Sequence, residues 1–263
     1  MLTFSIVVVS LNTRSEFLKT FRTIKKQSYN KYEIIVIDGK STDGTIKEIK
    51  KLRKNISKKI IEKDNGIYDA MNKGIRLAKG NWIIFMNSGD IFYNENVLKK
   101  LSKVCLNFKD NKIIFGNTII NNDHINYQVF GNYFTKNTVR MPFCHQSSVI
   151  RSSLLKKRIF DLNFTLSSDF DFFYNCYLNN VKFLKQNYII SKVKSGGKSD
   201  RNRQRVLFEN IKIFFNNKDY SKIVILYFLK LLELTKSLIK LFMTKNLKLY
   251  ILKMKYRKTL DKR

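Results

Sequence analysis

Short apolar runs alternate with segments of helical spacing through the first half of the chain. The runs are continuous and rich in β-branched residues, as expected for strands that are buried on both faces. Helical spacing follows each of the first three runs, and Ser15 is placed to cap the first helix. The predicted strands are FSIVVVS (4–10), YEIIVID (32–38), KKIIEKD (58–64) and NWIIFMN (81–87). This alternation predicts an α/β fold with a doubly wound, mostly parallel sheet.

The second half of the chain is less regular. Strand-like runs occur at 112–118, 126–131 and 187–193, and SSDFDFFYNCYLNN (167–180) has helical spacing. From Arg201 onward the spacing is helical and the composition is basic. We therefore expect one α/β domain over residues 1–200 and a basic, amphipathic helical extension over residues 201–263.

The composition is that of a globular protein with a strongly basic charge balance. Of 263 residues, 44% are hydrophobic, and Lys and Arg number 51 against 20 Asp and Glu, a net charge of +31. This balance indicates an anionic partner, such as a nucleic acid, an acidic membrane surface or a phosphorylated substrate. The three cysteines have no metal-ligand spacing, so we expect reduced thiols in a cytoplasmic protein. We expect neither a secretory leader nor a membrane-spanning helix, since no run reaches ~18 apolar residues.

Aspartates stand at the ends of three successive predicted strands. Asp38 ends the second strand, Asp64 ends the third, and Asp90 lies just beyond the fourth. Because ligands of doubly wound sheets bind at the carboxyl ends of the strands, we expect the three carboxylates at one binding edge. Like charges repel one another there unless a cation or hydrogen-bond donors meet them. A divalent metal ion or the donor groups of a nucleoside would satisfy that requirement.

Several common motifs are absent from the sequence. No G-x-G-x-x-G follows the first strand, which argues against a dinucleotide site, and there is no G-x-x-x-x-G-K-[ST] phosphate loop. Neither histidine lies in a zinc motif, and there is no G-x-S-x-G elbow. These absences exclude the usual signatures of P-loop enzymes, zinc enzymes and α/β-hydrolases.

Four stretches resemble family 2 glycosyltransferases with the GT-A fold. The opening, from FSIVVVSLNT to DGKSTDGT, is similar to the start of that family, and EKDNGIYDAMNKGIRLAKGNWIIFMNSGD is more similar still. The latter resembles the branch found in bacterial colanic-acid, lipopolysaccharide O-antigen and capsule synthesis, where NSGD replaces the more usual Asp-x-Asp. MPFCHQSSVIR and SSDFDF extend the resemblance over roughly residues 3–200.

The resemblance implies roles for the acidic residues in an inverting sugar transfer. Asp38 and Asp64 match carboxylates on the nucleoside side, and Asp90 matches the ligand of Mg²⁺ or Mn²⁺ at the donor diphosphate. Asp169 matches the general base, with Asp171 as the alternative. The other positions matched to the nucleotide-sugar site are Ser10, Asn12, Tyr68, Asp69, Asn72, Asn87, Ser88 and His145. Helix packing is the alternative for Tyr68, Asp69 and Asn72, and a place in the interior is the alternative for His145.

The resemblance also implies partners. Residues 1–93 would bind a donor of UDP, GDP or dTDP type, and residues 94–200 would bind a glycan or polyprenyl-diphosphate-linked acceptor. The protein would be peripheral on the cytoplasmic face of the inner membrane. The extension fits this, since a narrow polar stripe predicts a helix lying on an anionic membrane surface. The stripe consists of Lys230, Glu233, Lys236, Ser237, Lys240 and Thr244. Packing on the core and a homo-oligomer interface are the alternatives.

Two other functions fit part of the sequence. A sugar-phosphate nucleotidyltransferase also has a doubly wound nucleotide domain, but its Gly-rich, Arg-containing loop is replaced here by SLNTRSEF. A non-catalytic nucleic-acid-binding protein fits the net charge, but the basic residues are dispersed and form no recognition motif, so we expect no nucleic-acid partner.

Overall fold

One sheet of nine strands runs through the residues that the computed structural model describes, which are 3–122, 125–241, 243, 244, 246, 247, 250, 251 and 254. The strands are β1 (Phe4–Ser10), β2 (Tyr32–Asp38), β3 (Lys58–Ile61), β4 (Trp82–Phe85), β5 (Ile91–Phe92), β6 (Ile113–Asn121), β7 (Asn126–Val129), β8 (Ser148–Arg151) and β9 (Phe183–Lys194). The helices are α1 (Arg14–Lys25), α2 (Thr45–Lys51), α3 (Ile67–Leu77), α4 (Val97–Asn107), α5 (Ser152–Lys157), α6 (Ser168–Leu178), α7 (Lys198–Arg201), α8 (Arg203–Asn216) and α9 (Tyr220–Leu241).

The N-terminal half of the sheet is parallel, as its continuous apolar runs predicted. Its strands lie in the order β3-β2-β1-β4, and Ser10 pairs with Asp38 where β1 and β2 end. Val7 and Val9 of β1 face a core that contains α3, whereas Ile6 and Val8 face a second core that contains α1. Helices thus cover both faces, and the predicted doubly wound α/β fold is confirmed.

The second half of the sheet is mixed. β8 is antiparallel to both β4 and β6, β9 is parallel to β6, and β5 pairs with β9 in the antiparallel sense. β5 and β8 are only two and four residues long. Their apolar runs are too short to predict strands, and so the sequence did not indicate these antiparallel pairs.

Two local predictions are wrong. β3 ends at Ile61 rather than at Asp64, because the Asp64 carboxylate accepts the N–H of Gly66 and turns the chain into α3. Ser15 does not cap α1, which begins at Arg14. The Arg14 N–H instead donates to Asp43 Oδ2 at 2.9 Å. A carboxylate from the loop after β2 thus accepts a hydrogen bond from a free N–H at the start of α1.

The C-terminal helices pack on the core that contains α3 and α6. Their buried residues in this core are Leu207, Ile213, Phe214 and Leu226. Lys222 of α9 is only 4% exposed; its ammonium donates to Asp219 Oδ2 at 2.6 Å and to the Tyr174 hydroxyl of α6 at 2.7 Å. The start of α9 is therefore fixed against α6.

The outer faces of α8 and α9 carry large apolar side chains that are each more than half exposed. This α8–α9 apolar surface consists of Phe208, Phe215, Tyr220, Val224, Tyr227, Phe228 and Leu231. The side chains of Lys230, Glu233, Lys236, Ser237 and Lys240, which formed the predicted polar stripe, lie outside the described part. Among the helices of the described residues, none is both long enough and apolar enough to cross a membrane.

Candidate active site

A buried hydrogen-bond network joins the carboxyl ends of β1 and β2. Asp38 Oδ2 accepts hydrogen bonds from the hydroxyls of Ser10 at 2.7 Å and Ser41 at 2.8 Å, and its Oδ1 accepts the Ser41 N–H at 2.8 Å. Asn12, with a left-handed φ of 51°, donates its N–H to Ser41 Oγ and accepts the Thr42 N–H on Oδ1. Asp38 is fully buried, and these bonds fix the loops that follow β1 and β2 at the carboxyl end of the sheet.

Asp64 lies beside this network because residue 39 has no side chain. A β-carbon on Gly39 would come within 2.6 Å of Asp64 Oδ2. Asp64 Oδ1 accepts the N–H of Gly66 at 3.0 Å, at the start of α3. The loops after β2 and β3 thus approach each other closely, and half-buried Asp64 borders the edge.

A tight turn follows β4, and α1 holds it in place. Gly89 has a φ of 104°, a conformation that favours glycine. The buried Thr20 hydroxyl of α1 accepts the Gly89 N–H at 2.9 Å and donates to the carbonyl of Asp90 at 2.7 Å. These bonds fix the backbone that carries Asn87, Ser88 and Asp90.

Asp90 is a buried carboxylate with a raised pKa. Its side chain is 7% exposed, and burial raises the pKa of Asp90 to about 7, although the His145 imidazole and a hydrogen bond with Gln146 act to lower it. Because ionised Asp90 is poorly solvated, a cation beside it would be strongly favoured.

Asp169, in the first turn of α6, has both oxygens engaged. The Tyr68 hydroxyl donates to Oδ1 at 2.8 Å, and His145 Nδ1 lies 3.0 Å from Oδ2. Burial acts to raise the pKa of Asp169, but the hydrogen bonds from His145 and Tyr68 and the His145 charge outweigh it and lower that pKa. Burial and the neighbouring Asp169 raise the pKa of Tyr68, so its hydroxyl keeps its proton. At neutral pH, Asp169 is an ionised acceptor held between two donors.

His145 contacts Asp169 and interacts electrostatically with Asp90. Burial acts to lower the pKa of its imidazole, but Asp169 and Asp90 together raise that pKa above its ordinary value. Buried hydroxyls fix the turn that carries it, since Ser147 Oγ lies 2.7 Å from both Thr118 Oγ1 and Ser191 Oγ. Tyr68, Asp169 and His145 thus form one hydrogen-bonded group, and His145 also interacts electrostatically with Asp90.

The strand-end aspartates Asp38 and Asp90 have separate interaction partners, and their meeting with Asp64 at one binding edge stays a prediction. Asp38 accepts hydrogen bonds from Ser10 and Ser41, whereas Asp90 interacts electrostatically with His145. Within the described ranges, no group of three or more His, Cys, Asp or Glu side chains could hold a metal ion. Each carboxylate has hydrogen-bond donors of its own, so their mutual repulsion does not require a shared cation.

Polar atoms without partners occur around Asp90. Asn87 Oδ1, Ser88 Oγ and His145 Nε2 are buried and have no hydrogen-bond partner in the described part of the chain. Since buried polar atoms are almost always paired, these three atoms indicate a ligand. Carboxylate, amide and hydroxyl oxygens suit Mg²⁺ or Mn²⁺, and an imidazole N–H suits a phosphate oxygen. The residues present therefore fit a divalent cation that is held together with an anionic ligand.

Other candidates make contacts that fit the packing alternative. Asp69 Oδ2 accepts the Asn65 N–H at 3.0 Å and lies 3.3 Å from Lys73 Nζ. The buried Asn72 side chain bonds both the N–H and the carbonyl of Phe160, at 2.9 and 2.8 Å. These contacts account for the burial of Asn72 and the half-buried position of Asp69, and their part in a donor site stays a prediction.

Several residues that shape the site were missed from sequence. Thr20 follows the helical spacing of buried Phe17, Phe21 and Ile24, so a hydroxyl on an apolar face was the available signal. Ser41 lies only three residues after its partner Asp38, so a local turn was its signal, whereas Gln146 had none, because its partner Asp90 is distant in the chain. Asp171, the alternative base, pairs with Arg158 at 3.0 Å.

The sequence profile described as "Glycosyl transferase family 2" matches residues 5–158. One relative is the "PGL/p-HBAD biosynthesis glycosyltransferase" of Mycobacterium bovis (strain BCG / Pasteur 1173P2). It is 24% identical over 193 residues, which cover 71% of this chain and 74% of the relative. The matched family segment contains every strand-end aspartate and His145, whereas Asp169 lies beyond it.

Solved structures share the fold. S. aureus TarS 1–349 in complex with UDP-GlcNAc superposes with a TM-score of 0.62 at 16% identity, covering 82% of this chain and 67% of TarS 1–349. The mannosyltransferase PcManGT from Pyrobaculum calidifontis, in complex with GDP-Man and Mn²⁺, gives 0.63 at 14% identity, covering 82% of this chain and 64% of PcManGT. The chain therefore spans about two thirds of each structure and has their GT-A fold. The profile match, which covers more than half of the residues, shows that the chain belongs to glycosyl transferase family 2.

Proposed function

We propose that this glycosyltransferase moves a sugar from a nucleotide-sugar donor to a glycan or lipid-linked acceptor, with inversion at the anomeric carbon. The supporting observation is the hydrogen-bonded group of Tyr68, Asp169 and His145, with Asp90 in electrostatic interaction with His145. Asp169 is ionised, and buried Asp90 has the unpaired polar atoms of Asn87, Ser88 and His145 around it. Asp169 is suited to take the proton of the acceptor hydroxyl, and Asp90 is suited to bind the cation that neutralises the donor diphosphate.

In this proposal the nucleoside lies at the carboxyl ends of β1, β2 and β3. Asp38 already accepts hydrogen bonds from Ser10 and Ser41, so its part is to fix the loop. Half-buried Asp64 and exposed Asn12 remain available to the nucleoside. A UDP or GDP donor is supported by the ligands of TarS and PcManGT, which are UDP-GlcNAc and GDP-Man.

Asp90, with Asn87 and Ser88 beside it, would hold Mg²⁺ or Mn²⁺ together with the donor diphosphate, and His145 Nε2 would donate to a phosphate oxygen. The cation would offset the charge that develops on the leaving diphosphate. The Mn²⁺ of PcManGT supports this metal dependence.

Asp169 takes the proton of the acceptor hydroxyl as that oxygen bonds to the anomeric carbon of the donor. The bond from this carbon to the diphosphate breaks, and its electron pair leaves with the nucleoside diphosphate. Attack from the opposite face inverts the anomeric centre. The Tyr68 and His145 hydrogen bonds orient the carboxylate for this step, and the proton then passes to solvent.

Peripheral attachment to the cytoplasmic face of the inner membrane is a further part of the proposal. The α8–α9 apolar surface would enter the interfacial layer, and the excess of Lys and Arg would favour anionic lipids. This arrangement suits an acceptor sugar carried on a polyprenyl diphosphate.

The test is release of nucleoside diphosphate from UDP-, GDP- and dTDP-sugars, with and without Mn²⁺ or Mg²⁺. We expect slow, cation-dependent release from one donor class, and an increase in the melting temperature with the same donor. Asp169→Asn should lower turnover by about 100-fold or more while that donor-induced increase is kept.

Asp171→Asn is the matched control, because Asp171 lies two residues away in the same helix and pairs with Arg158. A loss of turnover in Asp171→Asn but not in Asp169→Asn would reassign the base. No response to any nucleotide sugar would overturn the proposed function. Formation of nucleoside triphosphate from nucleotide sugar and pyrophosphate would indicate a nucleotidyltransferase instead.

A further inference from the structure

A cavity of about 380 Å³ has Asp169 in its wall. This volume lies within the range of small-molecule sites. The rest of the wall comes from the loop at 140–141, from residues 166–170, from α7 and from α8. Since the family profile matches residues 5–158, the α8 side of this cavity lies outside the matched segment.

Asn210 of α8 lines the cavity and carries an unpaired polar atom. The residue is 2% exposed; its Nδ2 donates to the Val139 carbonyl at 3.4 Å, while Oδ1 has no hydrogen-bond partner in the described residues. A buried acceptor without a donor is unfavourable, and a sugar hydroxyl would satisfy it. Met141 and Phe170 supply apolar surface for the C–H groups of a sugar ring.

The cavity is also lined by two arginines, Arg140 from the loop and Arg203 from the first turn of α8. The carboxylates in the wall already have partners, because Asp169 binds His145 and Tyr68 and Asp200 Oδ2 accepts the Gly196 N–H at 2.8 Å. Arg203 forms no ion pair within the described part of the chain. Its guanidinium is therefore available to an anion that enters the cavity.

We propose that this cavity binds the accepting sugar and that Arg203 binds a carboxylate or phosphate group on that acceptor. The inference rests on the proposed function, because it takes Asp169 as the base. A guanidinium binds such groups through two parallel hydrogen bonds, which fixes orientation as well as charge. The acceptor is then acidic, either as a uronic acid or through the phosphate that joins the sugar to its carrier.

The test compares matched acceptor probes in the full chain with the donor that raises its melting temperature. Methyl β-glucuronide is paired with methyl β-glucoside, and N-acetylglucosamine 1-phosphate is paired with N-acetylglucosamine. The measured quantity is the probe concentration that gives half of the maximal change in nucleoside diphosphate release. We expect this concentration to be about tenfold or more lower for at least one acidic probe than for its neutral partner, as a charged hydrogen bond implies.

Arg203→Gln should remove that advantage and Arg203→Lys should retain part of it, while the donor-induced increase in melting temperature stays the same. Arg205→Gln is the matched control, because Arg205 pairs with Glu209 and does not line the cavity. A response to the glucuronide identifies a uronic acid, and a response to the sugar phosphate identifies the carrier phosphate. The proposal is overturned if neither acidic probe has an advantage, or if the advantage survives in Arg203→Gln. A wild type that binds no nucleotide sugar would instead contradict the proposed function itself.

Discussion

Asp169 keeps its charge because two donors reach it from different parts of the fold. Tyr68 comes from α3 and His145 from the turn before β8. Three segments must therefore pack together before the Asp169 carboxylate has both of its hydrogen-bond donors. Burial acts to raise the pKa of Asp169, but hydrogen bonds to the ionised form lower it, which keeps this carboxylate deprotonated at neutral pH.

Replacing Tyr68 by Phe removes one of these donors and should raise the pKa of Asp169. The acidic limb of the pH profile for turnover should then move to higher pH. The pH dependence of stability should shift in the same direction. A carboxyl group whose pKa is lowered in the folded state stabilises that state above the unfolded pKa, and this stabilisation is lost as pH falls through the folded-state pKa. The variant should therefore begin to unfold at a higher pH during acidification, as circular dichroism would show.

Tyr188→Phe is the control for this change, since Tyr188 also has a buried hydroxyl but one with no hydrogen-bond partner in the described residues. An unchanged pH profile in Tyr68→Phe would mean that the Tyr68 hydroxyl does not act on the base.

Asp90→Asn should abolish the stimulation of donor turnover by Mn²⁺ without unfolding the protein. Burial raises the pKa of Asp90 to about 7. The free energy of unfolding therefore falls as pH rises from the unfolded pKa to about 7, because the carboxyl group ionises more readily in the unfolded chain. Asn has nearly the same shape and no charge, and so the melting temperature at pH 8 should be equal or higher. Mn²⁺ titration of nucleoside diphosphate release, alongside thermal unfolding, measures both effects.

Asp110→Asn is the matched surface control, because the Asp110 side chain is 85% exposed. Full Mn²⁺ stimulation in Asp90→Asn would remove Asp90 from the metal site.

At the scale of elements, the contact between α3 and β1 depends on a residue without a side chain. A β-carbon at Gly74 would come within 2.4 Å of Val7 Cγ1, and the branched Val7 side chain has few other rotamers. Gly74→Ala should therefore lower the free energy of unfolding by about 1–3 kcal/mol, although alanine is the better helix former. Denaturant unfolding measures this difference.

Gly197→Ala is the comparison, because a methyl group there meets nothing within 4 Å. In a Val7→Ala background, Gly74→Ala should cost much less, since the clash is gone. Equal costs in both backgrounds would show that the helix–strand contact is not the cause.

The sequence predicted those elements whose pattern is long and local. β1 and β2 were found because seven continuous residues of each are buried or nearly so, and Asp38 was placed correctly at the end of β2. The end of β3 was predicted too late, at Asp64 rather than Ile61, because no hydrophobic pattern records the bond from the Gly66 N–H to the Asp64 side chain.

The same limit explains what the sequence did not reveal about the site. Aspartates at strand ends were visible, but their separation into distinct hydrogen-bond networks depends on partners that are distant in sequence. Ser10 and Asp38 are 28 positions apart, and Tyr68 and Asp169 are 101 positions apart. Motif resemblance supplied Asp169, whereas Arg203 and Asn210 had neither a motif nor a periodic signal.

At the scale of the whole molecule, the inner and outer faces of α9 differ. Lys222 and Leu226 face the core, whereas Val224, Phe228 and Leu231 are exposed at the spacing of one helical face. Replacing those three exposed residues by Ser should lower the fraction of protein that sediments with liposomes containing anionic lipid. High salt should lower binding of the wild type as well.

Substitution is a sharper test than truncation, because removal of α9 would also remove buried Leu226 and Lys222. Leu106→Ser with Phe108→Ser is the matched control, since both residues are exposed apolar side chains at the end of α4. Equal sedimentation of the two variants would assign the α8–α9 apolar surface to another role.

If the proposed membrane attachment holds, the contact of Lys222 with Tyr174 has a consequence for the length of glycan that the enzyme would accept. Asp169 and Tyr174 lie five positions apart on one helix, which is about 7.5 Å along its axis. If α9 rests on the bilayer, this short, stiff connection sets the height of the base above the lipid surface. In that case a carrier bearing one or a few sugars would present its terminal hydroxyl at the height of Asp169, and a long chain would carry that hydroxyl beyond reach.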